Sequence, residues 1–241
     1  MKAERRLSNF GHPVVEKKAA ELTLGKHTPM EKIEAIFYFV RDGIRFGFPP
    51  KWDEVKASEV IGYGLGYCNT KATLFLALSQ ACGVPARVHF GLIDIRIMRG
   101  ILPSFVFPFM PKAGGHSWIE VQLEGQWKPI DSYINDQAFY ERALNRLKAG
   151  GAAIGCSVSF VDGKSSCEFN FGEKGFVHMG AVVEDHGVWE DPAEYFASDK
   201  YLRFNAAQSM AYPLLAKLAN RNIERIRASA ALAADSDPTA S

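Results

Sequence analysis

Cys68, His116 and Asp131 are the residues of this chain whose types, order and spacing can carry out covalent chemistry. Cys68 lies in Gly64-Leu65-Gly66-Tyr67-Cys68-Asn69-Thr70-Lys71, where a glycine-rich turn gives way to the helix-forming run Ala72 to Ala81. A thiol there meets the exposed N–H groups and positive end of a helix, and both favour thiolate over thiol. Forty-eight residues later comes Gly114-Gly115-His116-Ser117-Trp118, and fifteen after His116 comes Asp131, closing Trp127-Lys128-Pro129-Ile130-Asp131. In this set Cys68 is the nucleophile and His116 the base that takes its proton and returns it to a leaving group. Asp131 holds the imidazole in one tautomer and orientation. The backbone N–H of Cys68 is the expected first oxyanion donor, and nothing in the sequence marks a second. Tyr63, Tyr67 and Trp52 precede the thiol with polar N–H or O–H groups, but read as packing walls beside a cleft.

The elements that must position these groups can be laid out from the pattern. Ser117 to Leu123 alternates apolar and polar, and Trp127 to Ile130 reads as a second short strand after the turn signal Glu124-Gly125. If Glu124-Gly125 is a two-residue hairpin loop, Leu123 faces Gln126 and Trp118 lies opposite Asp131. His116 then emerges on the face of Trp118, because strand side chains alternate with period two. Diagonal neighbours on one face are about 7–8 Å apart at the backbone, within reach of a carboxylate–imidazole contact. A register slip of one residue would put the two on opposite faces, so the pairing depends on that turn.

Four segments in order resemble the transglutaminase-like superfamily, a branch of the papain-like cysteine enzymes: Gly66-Tyr67-Cys68, the run Ala77 to Val88, His116-Ser117-Trp118-Ile119-Glu120-Val121, and Trp127 to Asp131. The likeness spans roughly Pro29 to Asp131. It implies that Cys68, His116 and Asp131 take the family's nucleophile, base and orienting-acid positions. It also implies an α+β fold in which the helix bearing the Cys packs on an antiparallel sheet bearing the His and Asp. Members of the superfamily hydrolyse amides, transfer a glutamine acyl group to an amine, remove glycans from asparagine, or have lost catalysis. The expected function is therefore cleavage of a peptide or glutamine-type amide carbonyl through a thioester, with hydrolysis preferred. Acyl transfer to an amine acceptor, or a non-catalytic peptide-binding module, are the alternatives. The expected partner is a peptide, protein or small amide substrate, with no cofactor, and the oligomeric state is left open.

Composition bounds the rest. The chain has 241 residues, 47% hydrophobic and 23% charged, with a formal net charge of +1. At that length roughly 70–75% of the unfolded surface can be buried, so no disulfide staple is needed. Near-neutral charge without a basic stripe argues against nucleic acid or an anionic membrane as the main partner. Met1 to Arg6 is followed by no apolar segment of a secretory signal, no window approaches 18 consecutive apolar residues, and four cysteines without tight pairing suit a reducing cytoplasm. The protein is read as soluble and cytoplasmic.

The periodic pattern predicts helices at Pro13 to Leu24, Pro29 to Asp42, Ala57 to Ile61, Ala72 to Ala81, Asp136 to Leu147, Asp191 to Phe196 and Ala206 to Ala228, and a strand at Arg87 to Ile97. Gly150 to Phe176 reads as short strands and turns. These divide into a catalytic core with N-terminal helices over 1–148, a C-terminal extension or accessory subdomain over 149–230 and a disordered tail over 231–241. Met98 to Gly115, with three prolines among Phe105, Phe107 and Phe109, reads either as a cover for the cleft or as an insertion that packs its rings into the core. Cys156, Cys167, His178 and His186 are of metal-binding type but lack the short paired spacing of zinc sites, and Cys82 reads as core. His12, His27 and His89 read as surface or satisfied strand residues.

Overall fold

The protein is described by a computed structural model covering residues 6–171 and 176–229; the expected tail over 231–241 lies outside the described residues. Pro13–Thr23 (α1) and Pro29–Tyr38 (α2) start where proline can occupy the first helical turn. Thr28 and Glu31 close a capping box on α2, with Glu31 N–H donating to Thr28 Oγ1 at 3.2 Å and Thr28 N–H to Glu31 Oε2 at 2.9 Å. The helical path runs on through a wide π-helical turn, Phe39–Gly43, to the two-residue strand Arg45–Phe46 (β1). Ala57–Tyr63 (α3) ends at Gly64, whose φ of 63° is the left-handed cap that only glycine adopts freely. Leu65–Gly66 (β2) pairs in parallel with β1, and the chain enters Cys68–Ala81 (α4).

α4 is the pivot of the fold, with every residue from Cys68 to Ser79 buried. Several of its polar side chains are satisfied inside the molecule: Thr73 and Ser79 hydroxyls donate to the carbonyls of Asn69 and Phe75, each at 2.9 Å. Lys71, fully buried, donates to the carbonyls of Arg41 at 3.1 Å and Ile134 at 2.8 Å. Burial pushes its pKa down to about 7. That lysine ties the helix to the loop that follows Asp131.

Ala86–Asp94 (β3), Ala113–Leu123 (β4) and Gln126–Ile130 (β5) form an antiparallel sheet with Val182–Trp189 (β8) in the order β5-β4-β3-β8. Leu123 faces Gln126 and Ile119 faces Ile130, the register expected from the two-residue turn. Glu124 and Gly125 both have positive φ, 53° and 76°, which matches the twist of antiparallel strands. Two short strands, Ile154–Gly155 (β6) and Val158–Ser159 (β7), form a separate hairpin. Gln137–Ala149 (α5), Pro192–Ala197 (α6) and Ala206–Arg227 (α7) complete the described chain.

Four differences from the sequence expectations have physical causes. α4 begins at Cys68 itself, four residues before the expected Ala72, because Thr70 Oγ1 accepts the Tyr67 N–H at 3.0 Å and opens the helix there. β3 stops at Asp94, whose carboxylate accepts the Arg96 N–H at 2.8 Å and starts a 3₁₀ turn, Ile95–Met98. Phe105 and Phe109 are 71% and 87% exposed, so the insertion does not bury these two rings in the core; Phe107 alone of the three packs against it. β8 is an unexpected strand, and it places part of the C-terminal region in the same sheet as His116. The fold class is α+β as expected.

C-terminal residues grip the core through long-range polar contacts. The Asp191 carboxylate accepts N–H bonds from Leu7 at 2.9 Å and Ser8 at 3.1 Å, and Asn220 brackets both backbone groups of Phe48. Arg227 pairs with Asp136 at 2.6 Å, while Asp136 also accepts the Phe46 N–H at 2.8 Å. No helix among the described residues is long and apolar enough to cross a membrane.

Candidate active site

Cys68 is the first residue of α4, and its sulfur meets the backbone N–H groups of Ser117, Asn69 and Cys68 itself. The Ser117 contact follows from the sheet: β5 ends opposite Ile119, which leaves the preceding part of β4 uncovered on that edge. The thiol therefore lies against the strand that bears His116, one residue away. Tyr133, whose hydroxyl is buried with no hydrogen-bond partner, senses the charges of both Cys68 and Asp131. Cys68 thus lies against the strand that bears His116, and Asp131 holds the backbone of His178, whose ring is 5.2 Å from that of His116.

All three are buried, His116 and Asp131 fully and Cys68 to within 9%. Burial dominates their protonation. It pushes the thiol up to about 12, with the nearby Asp53 carboxylate adding to the effect and the three N–H groups opposing it. His116 falls well below its ordinary value through burial, and the neighbouring His178 lowers it further. Asp131 rises to about 7 through burial, against the pull of three N–H groups, those of His178, Val177 and Met179. The helix terminus does not produce the thiolate expected from the sequence, because desolvation outweighs it. Burial thus works against the charged form of each of the three.

The Asp131 carboxylate does not hydrogen-bond His116 here. Its two oxygens accept the N–H groups of Val177 and His178, each at 2.9 Å. Neither ring nitrogen of His116 has a hydrogen-bond partner. Instead its ring lies 5.2 Å from that of His178 and 5.9 Å from that of Trp118, centroid to centroid. Buried polar groups are almost always paired, and each one left unpaired costs about 1–3 kcal/mol. An imidazole kept fully buried with both nitrogens free is therefore poorly explained by a structural role.

Sequence reasoning weighs His178 only as a metal ligand and misses Asp53 altogether. His178 Nε2 contacts the Ser157 hydroxyl at 2.8 Å and its carbonyl at 2.9 Å, and burial lowers its pKa to about 4. Nothing local marks it, since it reaches the site through a backbone bond to a residue 47 positions earlier. Asp53, 1% exposed, accepts from the Tyr67 hydroxyl, from Asn69 Nδ2 at 2.7 Å and from the Tyr201 hydroxyl at 2.9 Å. Trp52 stacks between Tyr67 and Phe204, with ring centroids 5.2 and 4.4 Å away, and Tyr63 packs against the core. The Tyr67 hydroxyl thus bonds Asp53, and the indole nitrogen of Trp52 is buried without a hydrogen-bond partner.

The remaining candidates fall elsewhere. His186 contacts the Tyr195 hydroxyl at 2.9 Å and Glu184 at 3.0 Å, and His89 bridges Glu120 at 2.8 Å and Asp185 at 2.6 Å. Cys156 and Cys167 are buried thiols, and Cys82 is half-buried against the core. Among the described residues no three His, Cys, Asp or Glu side chains gather as a metal site.

Comparison with known proteins bears on this site. Residues 16–132 match the family model of the transglutaminase-like superfamily, a span that includes all three side chains. Among solved structures, a candidate cysteine protease from Cytophaga hutchinsonii is similar at 16% identity and a TM-score of 0.46, with the match covering 78% of this chain and 45% of that one. A candidate protease from Parabacteroides distasonis is similar at 12% identity and a TM-score of 0.35, covering 52% of this chain and 25% of that one. The chain thus spans less than half the length of either. No curated protein matches its sequence.

Proposed function

Since residues 16–132 belong to the transglutaminase-like superfamily, we propose that the chain is a cysteine enzyme that cleaves an amide carbonyl through a thioester on Cys68. In the first half-reaction the thiol proton passes to His116 and the sulfur attacks the carbonyl carbon. The tetrahedral intermediate collapses as the C–N bond breaks, and the proton held by His116 leaves with the amine. Water then attacks the thioester, His116 taking its proton and returning it to sulfur, and a carboxylic acid is released. The N–H groups at the start of α4 are suited to the developing oxyanion.

Asp131 is assigned the orienting role. A carboxylate offers about four acceptor positions, so bonds to backbone N–H groups leave capacity for the imidazole. Its contact with His116 forms once the ring turns toward it. The observation that carries the proposal is the unpaired, fully buried imidazole of His116 on the strand touched by the Cys68 sulfur. Hydrolysis is the preferred outcome because water needs no second binding site. Acyl transfer to an amine shares every step up to the thioester.

The test is to incubate the protein with peptide and glutamine-type amide substrates, with and without a primary amine. Release of amine or ammonia, together with an acyl adduct on Cys68 seen by mass spectrometry, is the expected result. Product that incorporates the added amine would assign acyl transfer. Turnover that persists undiminished in Cys68→Ala would refute the mechanism. The burial of the site and a thiol pushed up to about 12 favour one rival, a non-catalytic peptide-binding module. That reading predicts peptide binding with no adduct under any condition.

A further inference from the structure

Asp53 sits in the loop before α3, fourteen residues from Tyr67 and 148 from Tyr201. Its side chain nevertheless reaches both neighbours of the nucleophile. Oδ1 accepts from the Tyr67 hydroxyl and from Asn69 Nδ2, the residues immediately before and after Cys68, and Oδ2 accepts from the Tyr201 hydroxyl. These three partners are neutral, so a buried carboxylate is held by dipoles alone, an arrangement that costs desolvation. A purely structural bracket could be made with an amide. Burial raises the pKa of this acid, against the pull of its bonds from Tyr67, Asn69 and Tyr201, and in its ionised form it adds to the burial that disfavours a thiolate at Cys68.

We propose that Asp53 is the positioning residue of the nucleophile: it clamps the Tyr67–Asn69 turn on both sides of Cys68 and sets a carboxylate beside the sulfur. This rests on Cys68 being the nucleophile. The clamp fixes the direction in which the thiol leaves the turn, and the ionised carboxylate beside it works with burial against a thiolate. Tyr201 links the same carboxylate to the C-terminal region. Asp53 and Tyr201 also line a cavity of about 550 Å³ with Trp52, Glu54, Phe204 and Tyr212. The carboxylate therefore separates that cavity from the turn that carries the thiol.

The two effects of Asp53 can be separated by substitution. In Asp53→Asn the amide oxygen can accept from Tyr67 and Asn69 as Oδ1 does, and the amide nitrogen can donate to the Tyr201 oxygen, so the clamp persists without the charge. Tyr201→Phe breaks one bond and keeps the charge. The measurement is the second-order rate of Cys68 alkylation by iodoacetamide from pH 7 to 9, with the label located by mass spectrometry. One pKa unit changes the thiolate fraction about tenfold, and Asp53→Asn is expected to speed alkylation roughly fivefold or more at each pH. Tyr201→Phe is expected to be no faster than wild type, and labelling of Cys82, Cys156 and Cys167 is expected to be unchanged in both. Superposable profiles for Asp53→Asn and wild type would overturn the proposal. So would equal acceleration in Tyr201→Phe, which would mean loosening and not charge. These rates are read on the thiol itself, so they stand whether or not His116 proves to be its base; that question is answered by His116→Ala and by turnover.

Discussion

The two sides of the candidate active site are built differently. Cys68 and His116 stand on α4 and β4, regular elements inside the family-matched span, and the sulfur touches the backbone beside His116. Asp131 and Asp53 are instead held by the C-terminal region, through the N–H groups of Val177 and His178 and the hydroxyl of Tyr201. On the first side the ring nitrogens of His116 are left unpaired; on the second every carboxylate oxygen has at least one partner. An unpaired buried group is a stability cost that function can explain, whereas a paired one serves structure equally well. The difference separates residues that react from residues that hold, and substitutions should divide along the same line.

The largest effect is expected at the reacting side. Cys68→Ala should lower turnover by at least about a thousandfold while shifting the melting temperature by no more than about 2 °C. His116→Leu should abolish activity nearly as completely and yet stabilise the protein by about 1–3 kcal/mol, because it removes two unpaired buried nitrogens. A fall in the denaturation midpoint of His116→Leu would mark the histidine as structural and break the comparison. At the holding side, Asp131→Ala should leave a trace of activity and cost about 2–4 kcal/mol by stranding the Val177 and His178 N–H groups. Hydrogen exchange at those two amides should accelerate with it.

Further from the chemistry, Asp191→Ala should cost about 1–3 kcal/mol by releasing the Leu7 and Ser8 N–H groups, with activity within about twofold of wild type. The last effect is a pH dependence, small near neutrality and growing to about 3 kcal/mol toward pH 4. His178 is held at about 4, below the ordinary 6.5, so between those values the unfolded chain binds the proton that the folded protein refuses. Its contribution is thus fully present above about pH 6.5 and is lost as pH falls toward 4. The stability of wild type relative to His178→Gln should follow that course in chemical denaturation at several pH values. A flat difference would mean that His178 is not buried as described.

The same division explains what could be read in the sequence. Alternation along Ser117 to Leu123 and the Glu124-Gly125 turn fixed the hairpin register, which the structure reproduces pair for pair from Leu123–Gln126 to Ile119–Ile130. α4 was visible as an apolar run, although its start was hidden because the Thr70 side chain, and not an apolar period, opens it. β8 was missed because its outward residues, Val183 to Asp185, are exposed and its run carries Glu184, Asp185 and Gly187, so neither alternation nor an apolar stretch betrays a strand. The brackets on Asp131 and Asp53 join residues 46 and 148 positions apart, and such pairs leave no local pattern. Desolvation likewise depends on what covers a residue, which is why the helix terminus at Cys68 suggested a thiolate and burial gives a thiol.

The most direct test of the central claim compares wild type with His116→Ala in the pH dependence of Cys68 alkylation, with the label located by mass spectrometry. A reactive pair predicts that Cys68 labels faster in wild type than in His116→Ala at every pH, and that a substrate-like amide, by occupying and acylating the sulfur, slows the wild-type labelling. Equal labelling of Cys68 in the two proteins would contradict the pairing of Cys68 with His116.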